Sequence, residues 1–368
     1  MSISAPSRSA RFGSWLTDRY SGLCARLANA ETAQLSEELR TIQIDRPVFI
    51  AGVARSGSTI LLEALASCDS FASARYSDYP PLWFPCWWSQ LKRHLPKPAH
   101  SPSERAHGDG IAVTVDSPEA FDEVFWMHFF PHRHDPEISQ RLTAQDHNPP
   151  FDEFYRNHIR KVLLARGRPR YLCKGNYNLA RLPYLLSRFP DAKFVVPIRH
   201  PKTHVASLQQ QHQRFTQAAL HHPSIARQMA RSGHFEFGPQ RRAEHMGDAE
   251  VATRIRDALA AGRDVEGYAL QWAQSYAWLA DLLDSNPSVA SSILVVSHED
   301  LCRSPADELQ TLARHIELAP SEAERLVEQW APRMQAAKPA RVAWTLAEEA
   351  CVRESCGTVA TQFGYTLD

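Results

Sequence analysis

The sequence predicts an α/β fold, in which helices cover both sides of a parallel central sheet. Two observations lead to this prediction. Short apolar runs of strand length alternate with longer helical patterns along residues 47–320. The first of these runs, residues 47–53, is apolar and is followed by a loop of small residues and then by a helical pattern. A strand without polar alternation is typical of a parallel sheet that is buried on both faces.

Five strands are expected, and helical patterns separate them. The predicted strands cover residues 47–53, 71–76, 170–174, 192–198 and 292–297. The predicted helices cover residues 58–67, 151–166 and 179–188, with further amphipathic helices in residues 218–285 and after the last strand. Pro201 is expected in the first turn of a helix, because its missing N–H would have no partner there in any case.

Three regions are predicted along the chain. Residues 1–46 have a helical pattern and form a lead-in. Residues 47–320 form one α/β domain. Within it, residues 79–150 are rich in proline and aromatic side chains and interrupt the alternation, which indicates an inserted lid or acceptor region. Residues 321–368 are expected to be a helical tail that packs on the domain.

The composition restricts the classes of partner. The chain has 368 residues, of which 43% are apolar, so it can bury a sizeable core. Its 41 basic residues balance 41 acidic ones, which argues against a nucleic-acid binder and makes any phosphate recognition local. No stretch approaches the ~18 apolar residues of a membrane span, and residues 1–23 lack the apolar segment of a secretory signal. Seven cysteines without a CxxC pair indicate reduced thiols. We therefore expect a cytoplasmic protein without a membrane span.

Residues 52–59, with the sequence GVARSGST, form a candidate anion-binding loop. Between a strand and a helix, unpaired backbone N–H groups and the helix dipole attract an anion. Gly52 and Gly57 have the spacing of the ATP-type P-loop, but Ser58 stands where that motif requires a lysine. Without the lysine, a triphosphate loses a charged contact worth roughly 1.5–3 kcal/mol. The positive charge of the loop is instead on Arg55, so a metal-dependent kinase is the weaker alternative.

A second anion site is expected at the end of another strand. Residues 193–199 form a strand that ends in Arg199, and Ser207 follows about two turns into the next helix. Open α/β sheets bind ligands at the carboxyl ends of their strands, and a guanidinium fork matches the geometry of a phosphate. An arginine at a strand end can also be a plain surface ion pair. The interpretation therefore depends on the two sites occurring together.

These two segments resemble those of the PAPS-dependent sulfotransferases, where PAPS is 3′-phosphoadenosine 5′-phosphosulfate. Residues 54–60, with the sequence ARSGSTI, are similar to the 5′-phosphosulfate loop of that family, and Arg55 has the position of its usual lysine or arginine. The pair Arg199 and Ser207, eight residues apart, is similar to the family's 3′-phosphate segment. Lys174 ends a strand, as a lysine does in the family's third strand. Residues 297–301 also resemble the family's closing strand and helix start.

The resemblance implies a sulfotransferase of the soluble, bacterial-type branch with a P-loop-like fold. PAPS would be the donor and PAP, its desulfated form, the product, and the sulfuryl group would pass in line to a hydroxyl or amine without a metal. The implied donor-binding residues are Arg55, Ser56, Gly57, Ser58, Thr59, Ile60, Arg199 and Ser207. Lys174 and Arg55 would stabilise the charge that develops on the leaving phosphate.

The base that deprotonates the acceptor is harder to assign. Family members with small phenol or alcohol acceptors place a histidine two residues after the third-strand lysine, but this chain has Asn176 there. In the glycan-modifying branch a carboxylate near the end of the second strand serves, and Asp78 has that general location. Asp78 is therefore the predicted base, although it could also be a loop residue before a turn. Its rivals are Glu119, Asp122 and Glu123, which could instead form an acidic first helical turn.

Other side chains leave the acceptor open. The histidines 128, 132 and 134 with Asp135 superficially suggest metal ligands, but Pro131 interrupts the spacing and no metal is expected. The aromatic cluster of residues 83–88 is expected to be core or an acceptor wall. The acceptor would be a small molecule, a lipid or a glycan, with no nucleic acid involved, and the oligomeric state stays open. A non-catalytic PAP-binding or nucleotide-binding scaffold is the alternative to an enzyme.

Overall fold

The computed structural model describes residue 3 and residues 5–95, 102–334 and 343–367. Its main sheet has five strands, all parallel, in the order β2-β5-β1-β6-β7. A second sheet is a two-stranded antiparallel hairpin of β3 and β4. The strands are β1 (Val48–Ala51), β2 (Phe71–Ala72), β3 (Ser103–Glu104), β4 (Ala112–Val113), β5 (Arg170–Gly175), β6 (Lys193–Ile198) and β7 (Ile293–Ser297).

Strand β1 lies at the centre of the sheet and is fully buried. Successive side chains of a strand point to opposite faces, and here the two faces belong to different apolar clusters. Phe49 and Ala51 pack in one cluster, and Val48 and Ile50 pack in the other. Both faces of the sheet are therefore covered, and the predicted α/β fold with a parallel central sheet is confirmed.

Helices connect the strands and continue after them. They are α1 (Arg8–Arg19), α2 (Ser21–Gln34), α3 (Ser36–Thr41), α4 (Ser58–Ala66), α5 (Pro85–Lys92), α6 (Glu123–Phe129), α7 (Pro149–Arg166), α8 (Leu182–Arg188), α9 (Pro201–His221), α10 (Ser224–Arg231), α11 (Ala249–Ala260), α12 (Asp264–Ser285), α13 (Pro287–Ala290), α14 (His298–Arg303), α15 (Pro305–His315), α16 (Pro320–Trp330) and α17 (Leu346–Gln362). Short 3₁₀ turns cover Tyr76–Asp78, Asn176–Arg181 and Ala331–Arg333. Within the described ranges, no helix has the combined length and apolar character that crossing a bilayer requires.

Two predicted elements differ from the structure by more than one or two residues at an end. The second strand was expected to reach residue 76, but it ends at Ala72, and a 3₁₀ turn starts at Tyr76. The helix expected at residues 179–188 begins as a 3₁₀ segment and becomes α-helical at Leu182, where Pro183 occupies the first turn. Proline is tolerated there because a backbone N–H in the first turn of a helix would have no partner within the helix in any case. Pro201 does start helix α9, as the sequence predicted.

A buried ion pair attaches the first three helices to the domain. Glu31 of α2 lies 3.0 Å from the Lys161 Nζ of α7, and both side chains are almost completely buried. Lys161 also donates to the Ala28 carbonyl at 3.0 Å, and Glu31 accepts the backbone N–H of Trp87 at 2.6 Å. Burial lowers the pKa of Lys161, while Glu31 opposes that shift. The pair therefore ties the lead-in to the start of the inserted region.

The inserted region supplies core packing as well as the hairpin. Trp83 has no exposed surface and packs against Phe125 and Phe154. Trp88 donates its indole N–H to the Ser77 carbonyl at 2.7 Å. Of the two alternatives for this aromatic cluster, the structure favours a core role.

The C-terminal segment closes over the ends of two strands. Helix α17 packs on α12, and its Cys356 Sγ lies 3.4 Å from the Ala269 carbonyl. Beyond the helix, the Tyr365 hydroxyl donates to Glu299 at 2.8 Å. Glu299 in turn accepts the backbone N–H of His200 at 3.1 Å. The last residues therefore brace the carboxyl edge of the sheet.

We expect Glu31→Gln to lower the free energy of unfolding by about 3 kcal/mol, since it leaves the Lys161 ammonium buried without a counter-charge. Urea denaturation followed by circular dichroism measures the change. The double variant Glu31→Leu with Lys161→Met is the control and should lose much less, because no buried charge is left. Equal losses in the two variants would contradict this explanation.

Candidate functional site

A cavity of about 920 Å³ opens at the carboxyl edge of the main sheet. Four neighbouring strands end there, in the order β5, β1, β6 and β7. Just at or after these ends come Lys174, Arg55, Arg199 and His298, and all four line the cavity. The parallel register explains the convergence, since it pairs Ile50 of β1 with the Lys174 backbone. Cations that are distant in sequence therefore meet at one edge.

The loop after β1 is shaped by a glycine that no other residue could replace without strain. Gly57 has a φ of 104°, and a Cβ there would lie 3.0 Å from the Nδ1 atom of His298. Helix α4 starts at the next residue, so Ser58 and Thr59 present the helix N-terminus to the cavity. His204 supports this loop, because its Nε2 atom lies 2.7 Å from the Ala54 carbonyl oxygen. An anion entering the cavity meets this helix start.

Most of the predicted donor-binding residues share this cavity. Those that line it are Arg55, Gly57, Ser58, Thr59, Ile60, Lys174, Arg199 and Ser207. Ser56 does not, because its side chain is buried beneath the loop and its backbone N–H donates to the Val53 carbonyl at 3.3 Å.

Arg55 connects the two predicted anion pockets. Arg55 belongs to the loop after β1, and its Nε donates to the Ser207 hydroxyl of helix α9 at 3.2 Å. Arg199 lies in the same cavity and donates through Nε to Thr203 at 3.1 Å. Burial lowers the pKa of Arg55, and the nearby positive charges of Arg105 and Arg199 act in the same direction. Both guanidinium groups therefore line the same cavity, and each brings a positive charge to it.

A carboxylate that the sequence did not single out balances this charge. Asp109, in the loop between β3 and β4, accepts a hydrogen bond from Arg55 at 2.8 Å and another from the Nε of Arg105 at 2.9 Å. Arg105 also donates to the Thr59 hydroxyl at 3.1 Å. Burial opposes ionisation of Asp109, but Arg105 and Arg55 hold its pKa well below the ordinary range. An anionic ligand of the loop would compete with this carboxylate for both arginines.

The hairpin that carries Asp109 is held against helix α9. The Gln211 side-chain amide donates to the His107 carbonyl at 2.9 Å. Gly108 has a φ of 64°, and a Cβ there would collide with the Arg214 side chain. Only the polar patch of residues 107–110 marked this element in the sequence. Arg105 carried no such signal, because its role depends on where the hairpin folds back.

Lys174 and Glu119 are a second cation and carboxylate, and they influence each other electrostatically. Both line the cavity, and both are largely withdrawn from water. Burial lowers the pKa of Lys174. Burial alone would raise the pKa of Glu119, but Lys174 and Arg105 bring it below the ordinary value. Tyr76 donates its hydroxyl to Glu119, and the Ala120 N–H donates to the same carboxylate at 2.7 Å.

A histidine–carboxylate pair faces Lys174 from another segment. His234 lines the cavity, and its Nδ1 lies 3.6 Å from a carboxylate oxygen of Glu236. Asn176 donates its amide to the other oxygen of Glu236 at 2.5 Å. Burial would lower the pKa of His234, but Glu236 outweighs it and raises that pKa above the ordinary value of 6.5. Asn176, which stands where a histidine was expected, therefore holds the carboxylate that lies beside His234.

The structure places Asp78, the predicted base, outside this cavity. Asp78 does not line the cavity, and its carboxylate is 2.9 Å from the Lys92 ammonium and hydrogen-bonded to Arg166. It also accepts the backbone N–H of Arg75 at 2.8 Å. Burial would raise the pKa of Asp78, but the two cations lower it. In this structure Asp78 therefore holds the insert to helix α7 and is paired with two cations.

Two other candidate carboxylates and one histidine of the cluster, His134, have structural roles. Asp122 accepts hydrogen bonds from the Tyr155 and Tyr171 hydroxyls at 2.6 and 2.7 Å. Glu123 forms ion pairs with Arg181 and His134, at 2.8 and 2.7 Å. Across the described residues, no group of three or more histidine, cysteine or carboxylate side chains has an arrangement that could hold a metal.

The fold is similar to that of a solved bacterial sulfotransferase. Sulfotransferase STF9 from Mycobacterium avium is 14% identical, with a TM-score of 0.53, and the match covers 91% of this chain and 81% of that chain. Sulfotransferase STF1 from Mycobacterium tuberculosis is 14% identical, with a TM-score of 0.48, and the match covers 92% of this chain and 81% of that chain. At this identity the likeness concerns the fold. No curated protein sequence gives a significant match.

The sequence comparison goes further than the fold. A sequence model of the sulfotransferase family matches residues 47–249, which is more than half of the chain. The match begins at β1 and includes the phosphate loop, Lys174, Arg199 and His234. This chain therefore belongs to the sulfotransferase family.

Proposed function

We propose that this sulfotransferase takes its sulfuryl group from PAPS and transfers it to a hydroxyl or amine of an acceptor, with PAP as the product. One observation carries the proposal. Arg55 and Arg199, on loops after adjacent strands, face a single cavity that also contains Ser207. PAPS carries anionic groups at both its 5′ and 3′ positions, and one cation-lined cavity suits both. Ser58 in place of a P-loop lysine disfavours a nucleoside triphosphate at the same loop.

The residues present fit a bound adenosine bisphosphate. The loop at Gly57 leaves space that a side chain would fill, and the start of helix α4 attracts a 5′-phosphate. Arg199 and Ser207 would hold the 3′-phosphate through charged hydrogen bonds. PAPS, when bound, supplies an activated sulfuryl group whose departure leaves charge on the 5′-phosphate. Lys174 and Arg105 would stabilise that charge from a site already withdrawn from water.

We propose His234 as the base that takes the acceptor proton. Burial would lower its pKa, but the Glu236 carboxylate raises it above the ordinary value of 6.5, so the neutral imidazole is a stronger base than usual. The Glu236 carboxylate lies 3.6 Å from the His234 Nδ1 atom, and the ring lines the cavity. Glu119 is the second candidate, because it is ionised and lies in the same cavity beside Lys174.

The α/β domain, its insert and the segment after it all bear on this site. The α/β domain of residues 47–320 would bind the donor, and its insert at residues 79–150 supplies Arg105, Asp109 and Glu119. The segment after residue 320 contributes Trp330 and Met334 to the cavity lining. We propose a small-molecule acceptor with an apolar portion, because these side chains lie with Phe237 on the wall of the cavity.

We expect PAP to raise the melting temperature, and ATP with Mg²⁺ to leave it unchanged. A ligand at a hundred times its Kd stabilises the folded state by about 2.7 kcal/mol. Differential scanning fluorimetry measures the effect. Arg199→Ala should abolish the protection by PAP, whereas Arg263→Ala, at an exposed arginine remote from the cavity lining, should not. Protection by ATP with none by PAP would refute the proposed donor.

We expect kcat/KM for sulfuryl transfer to fall as pH falls through a value above 6.5, because His234 must be neutral to accept a proton. His234→Gln should lower kcat by roughly 10²–10⁴. Glu236→Gln should move the acidic limb of the profile to lower pH, since it removes the carboxylate that raises the His234 pKa. If Glu119 is the base, the limb instead lies below 4.5.

A control is needed because Glu63 lies in the same cavity, where burial raises its pKa to about 7. In Glu63→Gln the limb should persist. A limb that disappears in this variant, or survives in His234→Gln, assigns the titration to another group.

We expect Asp109→Asn to bind PAP roughly tenfold more tightly, because the donor no longer competes with a carboxylate for Arg55 and Arg105. Isothermal titration calorimetry gives the two affinities. Glu104→Gln is the matched control, since its carboxylate lines the same cavity but accepts the Gly110 N–H at 2.9 Å. Weaker PAP binding by Asp109→Asn would show that Asp109 instead positions the arginines for the donor.

A further inference from the structure

The first two helices expose an apolar surface outside the catalytic cavity. Six large apolar side chains of α1, α2 and the residue between them are exposed, and Phe12 is the most exposed of them, at 62%. They are Phe12, Trp15, Leu16, Tyr20, Leu23 and Leu27. We name this set the N-terminal face. Single exposed apolar residues are ordinary, but a contiguous set of this size marks an interaction surface.

The N-terminal face borders a groove that is rich in arginine. A cavity of about 330 Å³ lies between α1 and α10, with Phe12 and Trp15 on one side. Its charged lining consists of Arg8, Arg11, Arg227 and Arg231, without a carboxylate. Arg231 lies 3.5 Å from Asp18. Within the described parts of the chain, the other three arginines have no carboxylate at ion-pairing distance.

Buried hydrogen bonds hold the two sides of the groove in place. Ser14, on the inner side of α1, is buried and donates its hydroxyl to Gln228 of α10 at 2.8 Å. Gln228 donates its amide to the Tyr79 hydroxyl at 2.8 Å. On α10, Arg227 and Arg231 are four residues apart and therefore lie on one side of the helix. The arginines are thus presented by a fixed frame.

We propose that the N-terminal face and its arginine groove dock the protein onto an anionic lipid bilayer. Aromatic and leucine side chains would enter the interface between headgroups and acyl chains, and the arginines would contact lipid phosphates. Charge complementarity favours this occupant over a second copy of the chain. A symmetric pairing through the face would bring the arginine groups of two copies together without carboxylates to balance them.

The proposed contact is peripheral and does not depend on the identity of the sulfuryl donor. Helix α1 has 12 residues and would lie along the surface over about 18 Å. A helix with basic and aromatic residues together is suited to this position. Since the face is separate from the residues that line the catalytic cavity, its loss leaves the chemistry intact.

Co-sedimentation of the full chain with lipid vesicles tests the proposal. The protein should pellet with vesicles of phosphatidylcholine mixed with phosphatidylglycerol, and remain in solution with phosphatidylcholine alone or at high salt. Phe12→Ser with Arg227→Gln should lower the vesicle affinity by at least about tenfold, because it removes one inserting ring and one charge. Leu346→Ser with Arg353→Gln, a matched pair on exposed positions of α17, should bind like the wild type.

Two further measurements keep other occupants distinguishable. Inorganic phosphate at millimolar concentration should not displace the protein from vesicles; if it does, the groove is a site for free phosphate and the proposal is wrong. Sedimentation velocity without lipid should give the same species for the wild type and the Phe12→Ser, Arg227→Gln variant. A dimer that only this variant loses, without any binding to anionic vesicles, would assign the face to self-association. Equal melting temperatures exclude unfolding as the cause.

Discussion

The parallel pairing of β1 with β5 and β6 is the constraint on which the site depends. It brings the ends of three strands to one edge, and each is followed by a cation, Lys174, Arg55 or Arg199. Such a concentration of positive charge is unfavourable inside a folded protein unless it is compensated. Asp109 and Glu119 supply this compensation, and both come from the insert. The insert therefore takes part in the charge balance of the cavity.

This arrangement explains how the site can be ready for an anion without one present. Asp109 holds the Arg55 and Arg105 side chains where an incoming phosphate would need them. Exchange of one anionic partner for another keeps the arginines paired throughout, so the side chains need little reordering on binding. An incoming anion must, however, compete with the Asp109 carboxylate for Arg55 and Arg105. Affinity for the donor is therefore a difference between two ion-pair networks.

The parts of the site that could be predicted from sequence are those with local rules. The loop around Gly57 follows from residue spacing and the order of strand and helix, and Arg199 from its place at a strand end. The proposed base could not be found in this way. Asp78 has a suitable position in the chain, but the direction of its side chain depends on Lys92 and Arg166, which approach from other elements. His234 lies in an irregular segment after α10, where no periodic pattern indicates which side faces the cavity.

Tyr365 links the far end of the chain to the pocket around Arg199. Its hydroxyl shares Glu299 with the backbone of His200, the residue directly after Arg199. The two carboxylate oxygens of Glu299 therefore connect Tyr365 to the backbone next to Arg199, which lies more than a hundred and sixty residues earlier in the chain. A substitution at Tyr365 would therefore reach the cavity around Arg199, although Tyr365 is not among the residues that line it.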